Sequence, residues 1–92
     1  MLKRIEVKIK GRVQGVFFRY TTDKIAKKLG LKGFVMNTSD GTVFTIAEGP
    51  EEQLLEFIKF LKKGPKHARV DNIEVQWLDQ SGEFKDFFIK GW

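Results

Sequence analysis

Hydrophobic and polar residues alternate along residues 3–10 and 70–78, and this period of two predicts β-strands that turn one face to a core. Two further short stretches, which flank a turn, are also predicted as strands. The dipeptide Asp40-Gly41 predicts a tight hairpin between the second and the third strand. Near the end, a polar turn precedes a short fifth strand that carries Phe87 and Ile89. The four longer strands are predicted at residues 3–10, 33–37, 42–47 and 70–78.

Two stretches have apolar residues spaced three and four positions apart, which is typical of helices that bury one face. We predict the first helix over residues 21–29, with Asp23 in its first turn and Gly30 as a left-handed C-cap. The second is predicted to begin at Pro50, which a first helical turn tolerates, and to stop at Gly64. Its apolar stripe is expected to contain Leu54, Leu55, Ile58 and Leu61, flanked by Phe57 and Phe60.

The order of these elements predicts an α+β fold of the ferredoxin-like βαββαβ type. We expect an antiparallel sheet with both helices on one face, a short extra C-terminal strand, and a single domain over residues 1–92. In this topology the first and second strands are parallel, and the third lies between them. Their carboxyl ends then share one sheet edge, about 10 Å apart, so that groups from both ends can reach one small ligand.

The composition narrows the possible chemistry. Without cysteine the chain has no disulfide, thiol nucleophile or thiolate metal site, and its one histidine, His67, is expected in a surface loop. We therefore predict no metal site and no cofactor.

The formal net charge of +5 favours an anionic partner, and the high Lys and Glu content without Cys suits a thermophile. No secretory or membrane-spanning stretch is apparent, so a cytoplasmic location is expected.

The first strand runs into a glycine-containing loop that leads to a helix. Such a loop can hold an anion, because glycines let backbone N–H groups turn inward and the helix start adds unpaired donors. The alternative is an ordinary tight turn with Gln14 exposed. Neither a Walker A motif nor a dinucleotide fingerprint is present. The segment reads Gly11-Arg12-Val13-Gln14-Gly15-Val16-Phe17-Phe18-Arg19.

Two polar residues border this predicted edge of the sheet. Arg19 offers a fork of donors suited to phosphate or carboxylate, although arginines early in a helix are often solvated or paired with a carboxylate. A cation near a helix N-terminus is unfavourable, and a bound anion would reverse that cost. Asn37 ends the second strand, either as a turn residue or as a neutral amide that positions a water.

Two blocks of the sequence resemble the signatures of the acylphosphatase family. The first is Gly11–Arg19, and the second runs from Gly33 through Asn37 and ends at Gly49. The resemblance implies a small enzyme that hydrolyses the carboxyl–phosphate bond of acyl phosphates, with inorganic phosphate as product and competitive inhibitor. It implies that Arg19 binds the phosphoryl group and that Asn37 orients the attacking water, without a metal.

The resemblance also implies a phosphate cradle and a set of supporting residues. The backbone amides of the cradle would come from Val13, Gln14, Gly15, Val16, Phe17 and Phe18. The supporting residues would be Gly11, Thr38 and Thr42. The sequence departs from the family pattern at Met36, where a basic residue is common, and at Phe44-Thr45, where an acidic-aliphatic pair is more usual.

Two other functions are compatible with the same fold. One is a non-catalytic regulatory domain that binds a small anion. The other is an RNA-binding module, because Lys32-Gly33-Phe34 begins like an RNP1 motif. The sequence then departs from RNP1, and on the third strand Phe44 alone is an obvious base-stacking candidate, so we expect no nucleic-acid partner. Because no membrane-spanning stretch is apparent, we also expect no membrane partner. We expect a monomer, and the physiological acyl phosphate is left open.

Overall fold

The computed structural model describes residues 2–91 and contains the helices and strands in the predicted order. The strands are β1 (Leu2–Arg12), β2 (Lys32–Asn37), β3 (Val43–Pro50), β4 (Arg69–Asp79) and β5 (Phe87–Ile89), and the helices are α1 (Phe18–Lys28) and α2 (Glu51–Lys63). Trp92, for which the sequence suggested no role, lies outside the described residues, as does Met1. No helix within residues 2–91 is long and apolar enough to cross a membrane.

The strands form one sheet with the order β4-β1-β3-β2-β5. Strand β3 pairs antiparallel with both β1 and β2, so β1 and β2 are parallel with β3 between them, as the topology predicts. The extra strand β5 pairs parallel with β2, which makes the whole sheet mixed instead of antiparallel. The reason is the chain path, since β4 ends where β2 begins and the connection crosses that end of the sheet.

Both helices pack on one face of the sheet and enclose a single core. Three alternate residues of β1, Ile5, Val7 and Ile9, are fully buried beneath them. Within the core, the rings of Phe18 and Phe60 lie 6.2 Å apart and join α1 to α2.

Helix α2 differs from its prediction in two respects. Its buried residues are Leu54, Phe57, Ile58 and Leu61. Leu55, predicted to lie in the apolar stripe, is 52% exposed, whereas Phe57, predicted to flank it, is fully buried. The helix begins at Glu51, because Pro50 keeps extended angles (φ −61°, ψ 142°) as the N-cap and last residue of β3.

Helix α1 begins at Phe18, earlier than predicted, so Arg19 lies in its first turn. Asp23 therefore lies in the middle of the helix and not in its first turn. Its carboxylate accepts a 3.0 Å hydrogen bond from Nζ of Lys27. The predicted C-cap is confirmed, because Gly30 has φ 72° and its N–H donates to the carbonyl of Lys27 over 3.1 Å.

Candidate active site

The loop between β1 and α1 leaves the sheet through a bulge at Lys10 and Gly11. A Cβ on Gly11 would lie 2.1 Å from the carbonyl oxygen of Arg69, so a side chain does not fit there. Further along, Gly15 (φ 74°) and Phe17 (φ 63°) both have left-handed backbones. The loop therefore combines a close strand contact with two sharp changes of direction just before the helix.

Arg19 and Asn37 line the same cavity, which has a volume of about 420 Å³. Arg19 reaches it from the first turn of α1, and Asn37 from the last position of β2. This meeting follows from the parallel relation of β1 and β2, whose carboxyl ends share one sheet edge. The full lining consists of Val13, Gly15, Phe17, Phe18, Arg19, Tyr20, Asn37 and Ile89.

The Asn37 side chain has an unusual environment. Its Oδ1 atom is buried and has no hydrogen-bond partner among the described residues. A buried acceptor without a donor costs about 1–3 kcal/mol. A water molecule that donates a hydrogen bond to Oδ1 would remove this cost, so the position is suited to hold water.

The remaining predicted cradle and supporting residues do not line the cavity. Val16 is buried in the core, and the Gln14 side chain turns toward the β2–β3 hairpin. Gln14 is only partly exposed, unlike in the simple-turn interpretation, since its Nε2 donates to the carbonyl oxygens of Thr38 and Thr42, each over 2.9 Å. The loop and the hairpin are thus joined by a side-chain bridge that the sequence did not predict.

The hairpin itself closes around the carboxylate of Asp40. Asp40 Oδ1 accepts hydrogen bonds from the Thr38 hydroxyl, from the Thr42 hydroxyl over 2.7 Å and from the Thr42 N–H over 3.1 Å. Its Oδ2 lies 3.1 Å from Nζ of Lys8. These contacts, the Thr38 hydroxyl first among them, hold the pKa of Asp40 well below its ordinary value. In this structure Thr38 and Thr42 support the hairpin next to Asn37.

Apolar side chains form the rim of the cavity. Phe17 is 76% exposed, Tyr20 is exposed and Ile89 is half-buried. Phe18 belongs both to the core and to the cavity wall, whereas Phe17 lies on the rim. Tyr20 and Ile89 were missed, because their approach depends on how α1 and β5 pack around the end of β2.

Two further features lie away from the cavity. His67 is exposed in the loop before β4, as expected. Within residues 2–91 no three or more His, Cys, Asp or Glu side chains are grouped so that they could hold a metal ion. A depression of about 520 Å³ lies at the opposite end of the sheet, between Trp77 and Glu51, and contains none of the predicted site residues.

The fold and the cavity together define a class of protein: a small ferredoxin-like domain in which a strand–helix loop, an arginine and an asparagine face one cleft. The acylphosphatase family model matches residues 5–89. An acylphosphatase of Pyrobaculum aerophilum is 47% identical over 89 residues, which cover 96% of this chain and 94% of that relative. Pyrobaculum is a thermophile, which fits the thermophilic character that the composition suggests.

Solved structures agree with this match. The crystal structure of acylphosphatase from Bacillus subtilis superposes with a TM-score of 0.93 at 37% identity, covering 99% of this chain and all of that one. A match to full-length HypF in its phosphate- and nucleotide-bound form has a TM-score of 0.90 at 36% identity, and covers 99% of this chain but 12% of HypF. The chain belongs to the acylphosphatase family, whose enzymes hydrolyse the carboxyl–phosphate bond of acyl phosphates.

Proposed function

We propose that the protein hydrolyses acyl phosphates by in-line attack of a water that Asn37 positions on a phosphoryl group held by Arg19 and the β1–α1 loop. The observation that carries this proposal is the shared cavity of Arg19 and Asn37. The reaction breaks the bond between phosphorus and the acyl oxygen and forms a bond from the water oxygen to phosphorus. A carboxylate and inorganic phosphate leave.

Little acid catalysis is needed for this reaction, because a carboxylate is a good leaving group. The main tasks are to hold the phosphoryl group and to place the water in line with the breaking bond. Backbone N–H groups of residues 13–18, in the loop that leads into α1, and the guanidinium of Arg19 would stabilise the charge on the equatorial oxygens. In this position the bound anion offsets the unfavourable place of a cation in a first helical turn.

Asn37 would act on the water and not on the phosphate. Its buried Oδ1 lacks a donor among the described residues, which supports a role as the acceptor for one proton of the water. A neutral amide is too weak a base to remove that proton completely. The proton would pass to a phosphate oxygen or to bulk solvent as the new bond forms.

Loss of benzoyl phosphate absorbance tests the proposal directly. We expect turnover in the presence of EDTA and competitive inhibition by inorganic phosphate. Activity that required added metal would contradict the proposed mechanism. Binding of phosphate without turnover of any acyl phosphate would favour the non-catalytic anion-binding domain instead.

The open face of the sheet bears on the RNA-binding alternative. It carries more aromatic rings than the one expected at Phe44, since Phe34 contacts Phe44, Phe84 and Phe88 at centroid distances of 5.8–6.2 Å. Phe34 is only 7% exposed, and Lys90 lies 4.7 Å from its ring centroid. A ring covered in this way cannot stack on a base. Phe88 on the same face is 43% exposed, so the covered ring of Phe34 does not by itself decide the question. On the strength of the acylphosphatase family match, the proposal includes no nucleic-acid partner. Salt-dependent binding in a filter-binding titration would contradict it.

The proposal also includes a monomeric state, a cytoplasmic location and no membrane partner. Sedimentation equilibrium tests the first of these. A stable dimer at micromolar concentration would contradict it.

A further inference from the structure

We infer that Gln14 is a positioning residue, which sets the distance between the loop that holds the phosphoryl group and the strand end that holds the water. The inference deepens the proposed function, because it concerns the geometry of the same site. It is carried by the two hydrogen bonds from one Gln14 nitrogen to two hairpin carbonyls.

The topology creates the need for such a connection. The pairing of β1 with β3 ends at Ile9 and Val43, and beyond that point β1 pairs with β4 alone. Strand β2 is not a neighbour of β1 in the sheet. The loop that follows β1 therefore approaches the end of β2 without a backbone ladder between them, and the separation across this gap depends on side chains.

Gln14 spans the gap with both N–H bonds of its amide nitrogen. One is donated to the carbonyl of Thr38, which directly follows Asn37, and the other to the carbonyl of Thr42, each over 2.9 Å. The two carbonyls flank the hairpin and lie 24 and 28 positions away in the sequence. A single planar NH₂ group thus sets both the distance and the orientation of the loop relative to Asn37.

The hairpin does not need Gln14 in order to close. The Thr38 N–H donates to the Thr42 carbonyl over 2.9 Å, and the Gly41 N–H donates to the Thr38 carbonyl over 3.2 Å. The Asp40 carboxylate binds both threonine hydroxyls as well. What Gln14 adds is the connection between two already formed halves of the site. Its loss should therefore affect their relative placement more than the fold of either half.

The kinetic test compares Gln14→Met with Gln14→Glu. Methionine removes both donors at similar volume, and misplacement of reacting groups by about 1 Å can cost about a hundredfold in rate. We expect Gln14→Met to lower kcat for benzoyl phosphate at least about tenfold, while the inhibition constant of inorganic phosphate changes by less than about threefold, because the loop still holds the anion. The matched control is Gln80→Met, an exposed loop glutamine far from the cavity, which should behave as wild type.

The Glu variant separates positioning from stability. Ionised, its carboxylate repels the two carbonyls; protonated, its single O–H donates to one of them. The kcat of Gln14→Glu relative to wild type should therefore rise as the pH falls from 7 to 5, whereas the ratio for Gln14→Met stays flat. A purely structural role would lower the melting temperature of both variants and leave kcat of the folded protein unchanged. A kcat of folded Gln14→Met within about twofold of wild type would overturn the inference.

An NMR titration with inorganic phosphate keeps this test independent of turnover. In the wild type we expect phosphate to shift backbone amides of the loop and of the hairpin, and in Gln14→Met to shift those of the loop alone. If the wild type hydrolysed no acyl phosphate yet showed this difference, the proposed function would fail and the role of Gln14 would stand. Equal hairpin shifts in both proteins, or none in the wild type, would contradict the role of Gln14.

Discussion

Arg19 and Asn37 belong to a helix start and a strand end, and they face one cavity because the strand β3 between β1 and β2 makes those two strands parallel. The cleft combines a guanidinium with an amide oxygen that has no hydrogen-bond donor within residues 2–91, and these two groups divide the task of the site. One group suits the anion, and the other suits the water.

Replacing Arg19 should remove charge stabilisation in the transition state. We expect Arg19→Ala to lower kcat/KM for benzoyl phosphate by about a hundred- to a thousandfold, the scale of one strong donor. Arg19→Lys should also fail, because a point charge does not reproduce the fork. The control is Arg69→Ala, at an exposed arginine bound to Asp71. Wild-type turnover by Arg19→Ala would disprove the assignment.

Replacing Asn37 should separate turnover from binding. Asn37→Ala should lower kcat strongly and change the inhibition constant of phosphate much less. Its free energy of unfolding should stay within about 1 kcal/mol of wild type, because the change also removes a buried acceptor for which the described part of the chain offers no donor. Steady-state kinetics and urea unfolding measure both quantities, with exposed Asn72→Ala as the control. A parallel loss of phosphate affinity and kcat would place Asn37 on the anion instead.

A buried ion pair at the other end of the sheet should make stability depend on pH. Glu48 is 4% exposed and accepts hydrogen bonds from Arg4 over 3.0 Å and from the N–H groups of Ser81 and Gly82 over 2.9 and 3.0 Å. Burial opposes its ionisation most strongly, but these donors and the Ser81 hydroxyl outweigh burial and lower the pKa of Glu48 below its ordinary 4.5.

The ionised carboxylate therefore stabilises the fold above about pH 4.5, and this contribution is lost as the pH falls through the lower folded-state pKa. We expect Glu48→Gln to cost about 2–3 kcal/mol at pH 7, and the difference from wild type to shrink below pH 4. Urea unfolding at several pH values measures it. Glu74→Gln, which breaks an exposed pair with Lys10, should cost less than about 1 kcal/mol. A difference that is constant with pH would refute the linkage.

Phe17 should be a source of strain. It is an exposed aromatic residue with a left-handed backbone (φ 63°, ψ 21°), which costs a non-glycine residue about 1–2 kcal/mol. Asparagine tolerates this conformation better, so Phe17→Asn should raise the free energy of unfolding by about 0.5–1 kcal/mol. The same substitution at Phe88, which packs on Phe34 from a strand, should lower it. Destabilisation by Phe17→Asn in urea unfolding would show that the ring contributes more than the strain costs.

Gly11 should tolerate no side chain. Because an added Cβ would meet the backbone of β4 at 2.1 Å, Gly11→Ala should cost at least about 2 kcal/mol. Gly41→Ala has a left-handed backbone to overcome, but its added Cβ would meet no described atom beyond its chain neighbours within 4 Å, so a cost of about 1 kcal/mol is expected. Thermal unfolding of the two variants compares them. Equal losses would mean that the β4 contact yields without cost.

Much of the molecule follows from local pattern in the sequence. Hydrophobic pattern predicted the existence of each helix and strand, and glycine-based turn signals predicted the Gly30 cap and the hairpin at Asp40-Gly41, because all of these signals act over a few residues. Element order predicted that β1 and β2 end at one sheet edge, so the sequence alone makes Arg19 and Asn37 candidates for one site. The acylphosphatase resemblance of the two blocks is borne out by the family match.

Tertiary structure decided what the local pattern could not. In the folded chain α1 begins at Phe18, and β5 pairs parallel with β2. Leu55 is exposed and Phe57 is buried. Glu48 is also buried, and Gln14 donates hydrogen bonds to the carbonyls of Thr38 and Thr42, which are distant in the sequence. The sequence by itself determined the elements and their order, since backbone propensity and hydrophobic period are properties of neighbouring residues. Which side chains meet across strands that are not paired depends on register and chain path, and only the folded chain determines these.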